Sequence, residues 1–300
     1  MLEGPLRAET ARGPYLVPSF RVKNRLSSSP SPLPKLWAMS ESLVVNEIYL
    51  SLQGESSYAG WPCIFIRLTA CNLRCSYCDT AYAFTEGRKQ SLAGILERVR
   101  GLAMPFAEGP LAAPAGQATT GRAEGNLDLI PVLPLVELTG GEPLLQPNVL
   151  PLMQQLCEAG FTVLLETSGA HDIRSVDPRV RRIMDLKCPS SGEADRNRWE
   201  NIDHLRRTDE IKFVIGTVED YEWAKTQITR FRLHLKCPLL FSWVSPLAPA
   251  QQDPSLKPVP SGLTPLSQRE LAERIVADAL PVRFQVQMHK VIWPPDRRGV

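Results

Sequence analysis

Short apolar runs rich in β-branched residues alternate with helical patterns along most of the chain, and this alternation constrains the fold more than any other feature. The strand-like runs cover residues 43–52, 63–69, 135–139, 162–167, 183–187, 210–215, 239–244 and 282–288. Helical patterns lie near residues 91–100, 147–159, 195–206, 218–231 and 267–280. Alternation of this kind predicts parallel strands joined by crossover helices. Because about six units are too few for a closed eightfold barrel, we predict an α/β fold: an open or partial (β/α)6-type barrel with an N-terminal strand extension.

Two segments do not fit this pattern. Residues 1–40 are rich in proline, serine and basic residues, a composition that cannot bury a core and predicts disorder. We interpret them as an extension upstream of the true start at Met39, with an organelle transit peptide as the alternative. Residues 101–134, rich in Ala, Gly and Pro, predict a flexible insertion. The folded core is then expected over residues 41–293, followed by a tail at 294–300.

Composition narrows the partners and the compartment. The net charge of +2 and the scattered basic residues give no reason to expect a nucleic-acid partner. Because the sequence has no apolar run long enough to span a bilayer and no secretory signal, we expect no membrane partner and a cytoplasmic location. Seven cysteines argue against a disulfide framework in such a protein. Four of them lie far apart in apolar stretches and are expected to be core thiols: Cys63, Cys157, Cys188 and Cys237.

The other three cysteines lie close together, at Cys71, Cys75 and Cys78, in the spacing C-x3-C-x2-C. Three thiolates can hold three irons of a cubane 4Fe-4S cluster and leave the fourth iron open for chemistry. Zinc is the alternative metal, but structural zinc requires four ligands, and the first histidine of the chain is His171. A third interpretation is that these cysteines are only small buried apolar residues.

Polar residues recur where the predicted strands end. The cysteine loop follows the strand at 64–68, and the sequence TGGEP at 139–143 follows the next strand along the chain. Glu166, Asp185 and Lys212 lie at or near the ends of the three strands after that. Since catalytic residues of such barrels lie on the loops that follow the strands, we expect these groups to converge on one cavity.

The cysteine spacing, with an aromatic residue before the last cysteine, together with GGEP one strand later, resembles the radical S-adenosylmethionine (SAM) enzymes. In that family the open iron binds SAM, and the reduced cluster cleaves it to a 5′-deoxyadenosyl radical that removes a hydrogen atom from the substrate. The resemblance implies a 4Fe-4S cluster on the three cysteines. It also implies SAM-binding positions at Tyr77, Asp79, Gly141, Glu142, Ser168 and Lys187.

A longer ordered set of motifs resembles one radical SAM family, the 7-carboxy-7-deazaguanine synthases. The motifs are SLQGE at 51–55, FIRL at 65–68, CDT at 78–80, ELTGGEPLLQ at 137–146, ETSG at 166–169, DLKCPSSG at 185–192 and IKFVI at 211–215. The resemblance implies conversion of 6-carboxy-5,6,7,8-tetrahydropterin to 7-carboxy-7-deazaguanine with loss of ammonia. It implies Mg2+ bound by Thr80, and substrate contacts from Leu52, Gln53, Gly54, Glu55, Arg67 and Thr139.

The same resemblance implies a homodimer and a flavodoxin or ferredoxin as the reductant. Two departures from the family pattern affect the expectations. Ser56 stands where the family usually has glycine, which predicts a rearranged turn. Residues 294–300 extend the family-like C-terminus, so a substrate contact by a C-terminal carboxylate is not carried over, and His289 is expected to be structural.

Two other functions remain open from the residues alone. A radical SAM activase, which installs a glycyl radical on a partner protein, would share the cysteines and GGEP but would not explain SLQGE, Arg67 or CDT. A non-catalytic, metal-stabilised binding module would require four metal ligands and no convergent site at the strand ends. Individual residues also have structural alternatives: Arg67 in a surface ion pair, Thr80 as a helix cap, and Tyr77, Tyr82 and Trp61 in packing.

Overall fold

The computed structural model describes residues 41–108 and 132–300. These residues contain nine strands: β1 (Ser42–Leu52), β2 (Pro62–Leu68), β3 (Arg88–Ser91), β4 (Leu135–Gly140), β5 (Val163–Thr167), β6 (Arg181–Leu186), β7 (Glu210–Ile215), β8 (Leu239–Trp243) and β9 (Arg283–Gln285). The strands form one sheet in the order β3-β1-β2-β4-β5-β6-β7-β8-β9. The predictions for residues 1–40 and for most of the 101–134 insertion lie outside the described residues.

From β2 onwards, neighbouring strands in this sheet are parallel and follow one another in chain order, apart from β3 at the edge. Strand β1 is antiparallel to both β2 and β3, and so forms the N-terminal extension. Within the described residues, the sheet begins at β3 and ends at β9 without closing on itself. The predicted open barrel with an N-terminal strand extension is therefore confirmed.

Five α-helices accompany the strands in the described part of the chain: α1 (Leu92–Glu108), α2 (Val149–Glu158), α3 (Val218–Phe231), α4 (Gln268–Ala277) and α5 (Met288–Ile292). Helix α2 shows why these segments are helical and where they pack. Its buried residues recur at the three- and four-residue spacing of one helical face: Val149, Leu152, Met153 and Leu156. None of the helices over 41–108 and 132–300 has the length and apolar content that a membrane crossing requires.

Capping boxes fix the starts of α3 and α4. The Thr217 hydroxyl accepts from the Asp220 N–H, and Ser267 does the same for Glu270. In each case the acidic side chain reaches back to the backbone N–H of the cap residue, so two otherwise unpaired donors are satisfied.

The helix predicted at 195–206 is wrong in type, because the chain there forms two 3-10 helices, Ala194–Arg196 and Trp199–His204. Two asparagines explain the difference. The Asn197 amide binds the backbone N–H and C=O of Lys187, and the Asn201 amide donates to the carbonyls of Gly169 and His171. Because these side chains hold the backbone to the neighbouring segments, they compete with continuous helix formation.

Two apolar layers surround the sheet. The larger lies between the helices and the strands, and the smaller faces the inside of the barrel. The inner layer consists of Cys63, Phe65, Leu135, Leu164 and Ile183. Several of its members lie at or near the starts of β2, β4, β5 and β6, so the inside of the barrel is apolar towards the amino ends of these four strands.

Candidate active site

A cavity of about 570 Å³ lies inside the barrel. Inward-facing residues of successive parallel strands line it: Phe65 and Arg67 of β2, Glu137 and Thr139 of β4, Glu166 of β5, Ile183 and Asp185 of β6, Lys212 and Val214 of β7, and Ser242 of β8. Its volume falls within the roughly 300–1,000 Å³ that ligand sites typically occupy. The predicted convergence of the strand-end residues is present, which argues against the non-catalytic module.

The cysteine loop follows β2 at the carboxyl end of the barrel. Cys71, Cys75 and Cys78 all line the cavity, whereas none of the other four cysteines does. The loop is held from outside by the segment after β6. Ser76 donates from its backbone N–H to the Ser191 carbonyl (3.0 Å) and from its hydroxyl to the Ser190 carbonyl (2.6 Å).

Two glycines bring the end of β4 against this loop. Gly140 has φ 130°, which side chains rarely adopt, and a methyl group there would overlap the backbone of Leu68. At Gly141 a methyl group would overlap the Ala70 carbonyl. The close approach permits backbone hydrogen bonds from Gly141 N–H to the Leu68 carbonyl (3.1 Å) and from Glu142 N–H to the Ala70 carbonyl (2.8 Å). In this structure Gly141 therefore positions the cysteine loop.

The three thiols are not arranged as ligands of a single metal ion would be. Within residues 41–108 and 132–300, no three His, Cys, Asp or Glu side chains converge as ligands of one metal ion would. In a cubane, each cysteine binds a different iron, so its ligands need only share a wall of the cavity, as these do. Burial raises the pKa of Cys75 to about 11 and that of Cys78 to about 12. Cluster binding must therefore displace their protons.

Glu142 joins the ends of β4 and β5. Its fully buried carboxylate accepts hydrogen bonds from the Thr167 hydroxyl (2.9 Å), from the Ser168 N–H (2.7 Å) and hydroxyl (2.5 Å), and from the Leu144 N–H (3.0 Å). Ser168 and Thr167 line the cavity. Glu142 thus lies behind Ser168 and Thr167 and holds them in position. Its predicted direct contact with SAM stays a prediction.

Two ion pairs lie beside the cysteines. Lys187 contacts Asp185 at 2.7 Å, and Lys290 contacts Asp79 at 2.6 Å. Burial opposes ionisation of Asp79, but Lys290 and the Thr80 hydroxyl outweigh it and lower the pKa of Asp79 to about 2. Thr80 precedes a 3-10 helix without capping it through its side chain, so its interpretation as a helix cap is wrong. The Tyr77 hydroxyl is buried without a hydrogen-bond partner among the described residues.

The SLQGE loop reaches the same cavity from the opposite end of the barrel. Because β1 is antiparallel and Leu52 pairs with Pro62, the loop between them lies at the amino ends of the parallel strands. Leu52, Gln53, Gly54 and Glu55 all line the cavity. Ser56 has φ 61°, the left-handed conformation that glycine favours. The predicted rearrangement of this turn relative to the family stays a prediction.

A buried cluster of charges joins this loop to the barrel wall. Lys212 contacts Glu55 at 3.0 Å and Glu166 at 3.2 Å, and the Thr139 hydroxyl donates to Glu166 (3.1 Å). Burial opposes ionisation of Glu55, but the charge of Lys212, the neighbouring His289 and the hydrogen bond from Gln287 outweigh it and lower the pKa of Glu55 to about 2. Glu55 is therefore an ionised hydrogen-bond acceptor at neutral pH.

Arg67 lines the cavity, and its side chain is only 15% exposed, so the surface ion-pair interpretation is wrong. Its Nε donates to Glu47 (2.7 Å) and its Nη2 donates to the Tyr49 hydroxyl (2.8 Å). Within the described part of the chain, Nη1 has no hydrogen-bond partner. One edge of the fork thus remains available to an anion.

Sequence reasoning missed several residues that line the cavity. Glu137 had a visible signal, since it is a carboxylate in the middle of an apolar strand. Lys290 and the tail residues gave no signal, because they reach the cavity only through the tertiary fold. Asp296, Arg297, Arg298, Gly299 and Val300 of the tail line the cavity. Arg298 also stacks on the Tyr82 ring at 3.7 Å and contacts Glu86 at 2.7 Å.

Comparison with known proteins supplies the family. The chain is 42% identical over 258 residues to the 7-carboxy-7-deazaguanine synthase of Koribacter versatilis, a match that covers 85% of this chain and 99% of that protein. It is 39% identical over 261 residues to the synthase of Chlorobaculum tepidum, covering 86% and 97% of the two chains. The chain belongs to the 7-carboxy-7-deazaguanine synthase family. No protein-family model matches it.

A solved structure agrees with the fold of this family member. The crystal structure of QueE from Escherichia coli superposes with a TM-score of 0.56 at 22% sequence identity, covering 83% of this chain and 95% of that one. The resemblance to the 7-carboxy-7-deazaguanine synthase family predicted from the motifs is thus confirmed, and so is the fold. The roles of individual site residues stay predictions.

Proposed function

We propose that this protein is a radical SAM lyase that converts 6-carboxy-5,6,7,8-tetrahydropterin to 7-carboxy-7-deazaguanine with loss of ammonia, a step towards queuosine and related 7-deazapurines. Family membership supports this reaction. The observation that carries it in this chain is one cavity reached from both ends, by three thiols on one side and by the polar SLQGE loop on the other.

We propose that Cys71, Cys75 and Cys78 hold a 4Fe-4S cluster. When bound and reduced, the cluster and SAM supply the radical that removes a hydrogen atom from the substrate. The polar groups beside the cysteines suit the ammonium, carboxylate and ribose groups of SAM. We assign its binding to Tyr77, Asp79, Gly141, Glu142, Ser168 and Lys187. Glu142 is assigned to hold Ser168 in place. When SAM binds, Glu142 would exchange some of its hydrogen bonds within the protein for hydrogen bonds to SAM.

The remaining groups match a pterin carboxylate and its ring edge. Arg67 has a free guanidinium edge for the carboxylate, and Glu47 and Tyr49 hold the other edge in place. Ionised Glu55 accepts hydrogen bonds from ring N–H or amino groups, and Gln53 with the backbone of Leu52 and Gly54 reads the amide edge. Thr139 donates to Glu166 and completes the wall.

The fit to Mg2+ is weaker. Magnesium prefers several oxygen ligands and usually carboxylates. The carboxylate nearest to Thr80 is Asp79, which accepts the Thr80 hydroxyl (2.9 Å) and is already neutralised by Lys290. The residues present do not form a magnesium site on their own. Binding through Thr80 is proposed only in the presence of the substrate carboxylate, and no catalytic step is assigned to it.

An anaerobic turnover assay tests the function. Iron and sulfide are reconstituted, the protein is reduced with dithionite, and SAM and the pterin are added with Mg2+ or with EDTA. We expect 7-carboxy-7-deazaguanine by mass spectrometry. Cleavage of SAM to 5′-deoxyadenosine without this product would retain the radical chemistry and refute the substrate. Equal turnover rates with Mg2+ and with EDTA would refute a role for Mg2+ in the reaction.

Arg67→Ala gives a second test, with an expected rise in KM because the carboxylate loses its partner. An unchanged KM would refute the role of Arg67.

The partner proposals have separate tests. A homodimer predicts twice the chain mass in sedimentation equilibrium, and a single chain mass would contradict it. A flavodoxin or ferredoxin reductant predicts turnover when the reduced carrier replaces dithionite.

A further inference from the structure

Glu137 is a cavity-lining carboxyl group to which the motifs assign no role. It occupies the middle of β4, between Val136 and Leu138, and its residue is only 1% exposed. Because side chains alternate along a strand, Glu137 and Thr139 face the same way, into the cavity. Its single hydrogen-bond partner in the described part of the chain is Gln53, whose Nε2 donates to Glu137 Oε2.

The charges around Glu137 leave it without a counterion. Lys212 contacts both Glu55 and Glu166, and Arg67 is paired with Glu47. A buried carboxylate that has no cation of its own is costly, and such a group tends to bind a proton instead. Burial, with the negative charge of Glu166, raises the pKa of Glu137 well above its usual value. The protonated form of Glu137 is therefore favoured, against the opposing positive charges of Lys212 and Arg67.

The hydrogen bonds also fix which oxygen of Glu137 is free. The backbone N–H of Glu55 donates to Gln53 Oε1 (2.8 Å), which turns Gln53 Nε2 towards Glu137. Glu137 Oε2 accepts from that amide and so serves as the carbonyl oxygen of the acid. In the protonated acid Oε1 carries the proton, and within the described residues it has no acceptor. A neutral acid has one O–H donor to offer, and here that donor is left for a ligand.

We propose that Glu137 is a specificity residue that donates a hydrogen bond, as a neutral acid, to the ring carbonyl oxygen of the substrate. The proposal rests on the proposed function. Ionised Glu55 on the adjacent loop accepts from N–H or amino groups, so the two side chains together read a donor–acceptor edge. A ring with an amino group in place of the carbonyl would present a donor to a donor, and the site would reject it.

Substrate discrimination in variants tests this role. We compare KM for the 4-oxo substrate and for its 4-amino analogue in the wild type, in Glu137→Gln and in Glu137→Leu. The wild type should prefer the oxo form. Glu137→Leu should raise KM for the oxo substrate about tenfold or more and remove the preference, because an unpaired buried carbonyl is costly. Glu137→Gln, which still has a donor and an acceptor, should restore most of the binding.

The protonation state is measured without the cluster. Infrared difference spectra of the full-length apoprotein at neutral pH, wild type minus Glu137→Gln, should contain a protonated-carboxyl band. Circular dichroism checks that each variant is folded.

Three results would overturn the proposal. Glu137→Leu could keep both the KM and the oxo preference, the glutamine variant could be as defective as the leucine variant, or the infrared band could be absent. If the wild type does not convert the pterin at all, the proposed function fails, and the specificity role fails with it even when the band is present.

Discussion

The two ends of the barrel build the cavity by different means. At the carboxyl end, short loops place the three cysteines and Ser168 directly after the strands that carry them. At the amino end, one hairpin loop crosses towards distant strands. Glu55 contacts Lys212 of β7, and the Ser57 N–H donates to Glu210 (3.1 Å) at the start of that strand. The carboxyl end therefore takes its site residues from loops directly after several strands, whereas the amino end takes them from one loop that is held by contacts with a distant strand.

This difference predicts that the two ends fail differently when mutated. Damage at the carboxyl end should remove the cofactor and the activity while the barrel remains folded. Damage at the amino end should reduce stability as well as substrate binding, since the loop contacts are part of the barrel interior.

The largest expected effect is the loss of all activity in Cys75→Ala, because two thiolates cannot hold the cluster that three hold. Iron and sulfide analysis and the visible absorption spectrum measure the loss after reconstitution. The matched control is Cys157→Ala, on α2 and away from the cavity, which should keep both cluster and turnover. Turnover by the Cys75 variant would contradict the mechanism.

Lys212→Met should have the largest effect on stability. It leaves two partly buried carboxylates, Glu55 and Glu166, without their shared cation, which is itself buried. Removal of one partner from a buried ionic cluster typically costs about 3–5 kcal/mol, which urea unfolding would measure. Lys225→Met is the control, since its pair with Asp278 lies on the surface and should contribute less than about 1 kcal/mol. Equal losses of unfolding free energy in the two variants would show that the charged cluster at the amino end stabilises the fold no more than a surface ion pair does.

The pH dependence of stability should reveal Glu55. Its pKa is about 2 in the folded chain against a usual value of 4.5. A lowered pKa stabilises the fold above the unfolded value, and the contribution is lost as pH falls from about 4.5 towards 2. Glu55→Gln should therefore cost on the order of 3 kcal/mol at pH 7, and the cost should shrink below pH 4.5. Urea unfolding at pH 7 and pH 3.5 measures it, and a cost independent of pH would refute the assignment.

The smallest expected effects concern two residues with the left-handed backbone conformation, one at each end of the barrel. Ala70, before the cysteine loop, has φ 79°, and Ser56 has φ 61°. Ala70→Gly should stabilise the protein by about 0.5–1 kcal/mol, because glycine relieves the conformational strain. Ser56→Gly should change stability by less than that, because it also loses the hydrogen bond from the Tyr58 N–H to the serine hydroxyl (3.2 Å). Urea midpoints of the two variants decide it, and the reverse ranking would count against this account.

The same contrast explains what the sequence could predict. Strand β7 and helix α3 have the predicted bounds, because hydrophobic periodicity and a capping box mark them locally. The cysteine loop is likewise predictable from local sequence, because its three cysteines form one contiguous motif. The 3-10 helices at Ala194–Arg196 and Trp199–His204 were not, because asparagine contacts with distant backbone determine them. Strand β3, at the edge of the sheet, has the polar sequence RKQS, so no apolar pattern indicates a strand there.

The site follows the same rule. Contiguous motifs indicated the cysteines and the glycines of GGEP. The pairing of Asp79 with Lys290 brings together residues that are far apart in the chain, and no local pattern encodes it. Glu137 lies between these cases, because its burial was predictable from the strand but its lack of a counterion was not.

The open sheet has a consequence for how the barrel is held together. Between the SLQGE loop and β9 with the residues that follow it, a few separate hydrogen bonds take the place of strand pairing: the Met288 N–H donates to the Gly54 carbonyl (3.0 Å) and the Gln287 amide donates to Glu55 (2.9 Å). The Gln285 amide donates to the Ser56 carbonyl (2.7 Å) and accepts from the Ser56 N–H (3.2 Å). These hydrogen bonds contribute about 1 kcal/mol each, whereas parting two neighbouring strands breaks a whole ladder. The barrel thus has a seam, where contacts of a loop with separate residues replace the ladder that joins the other neighbouring strands.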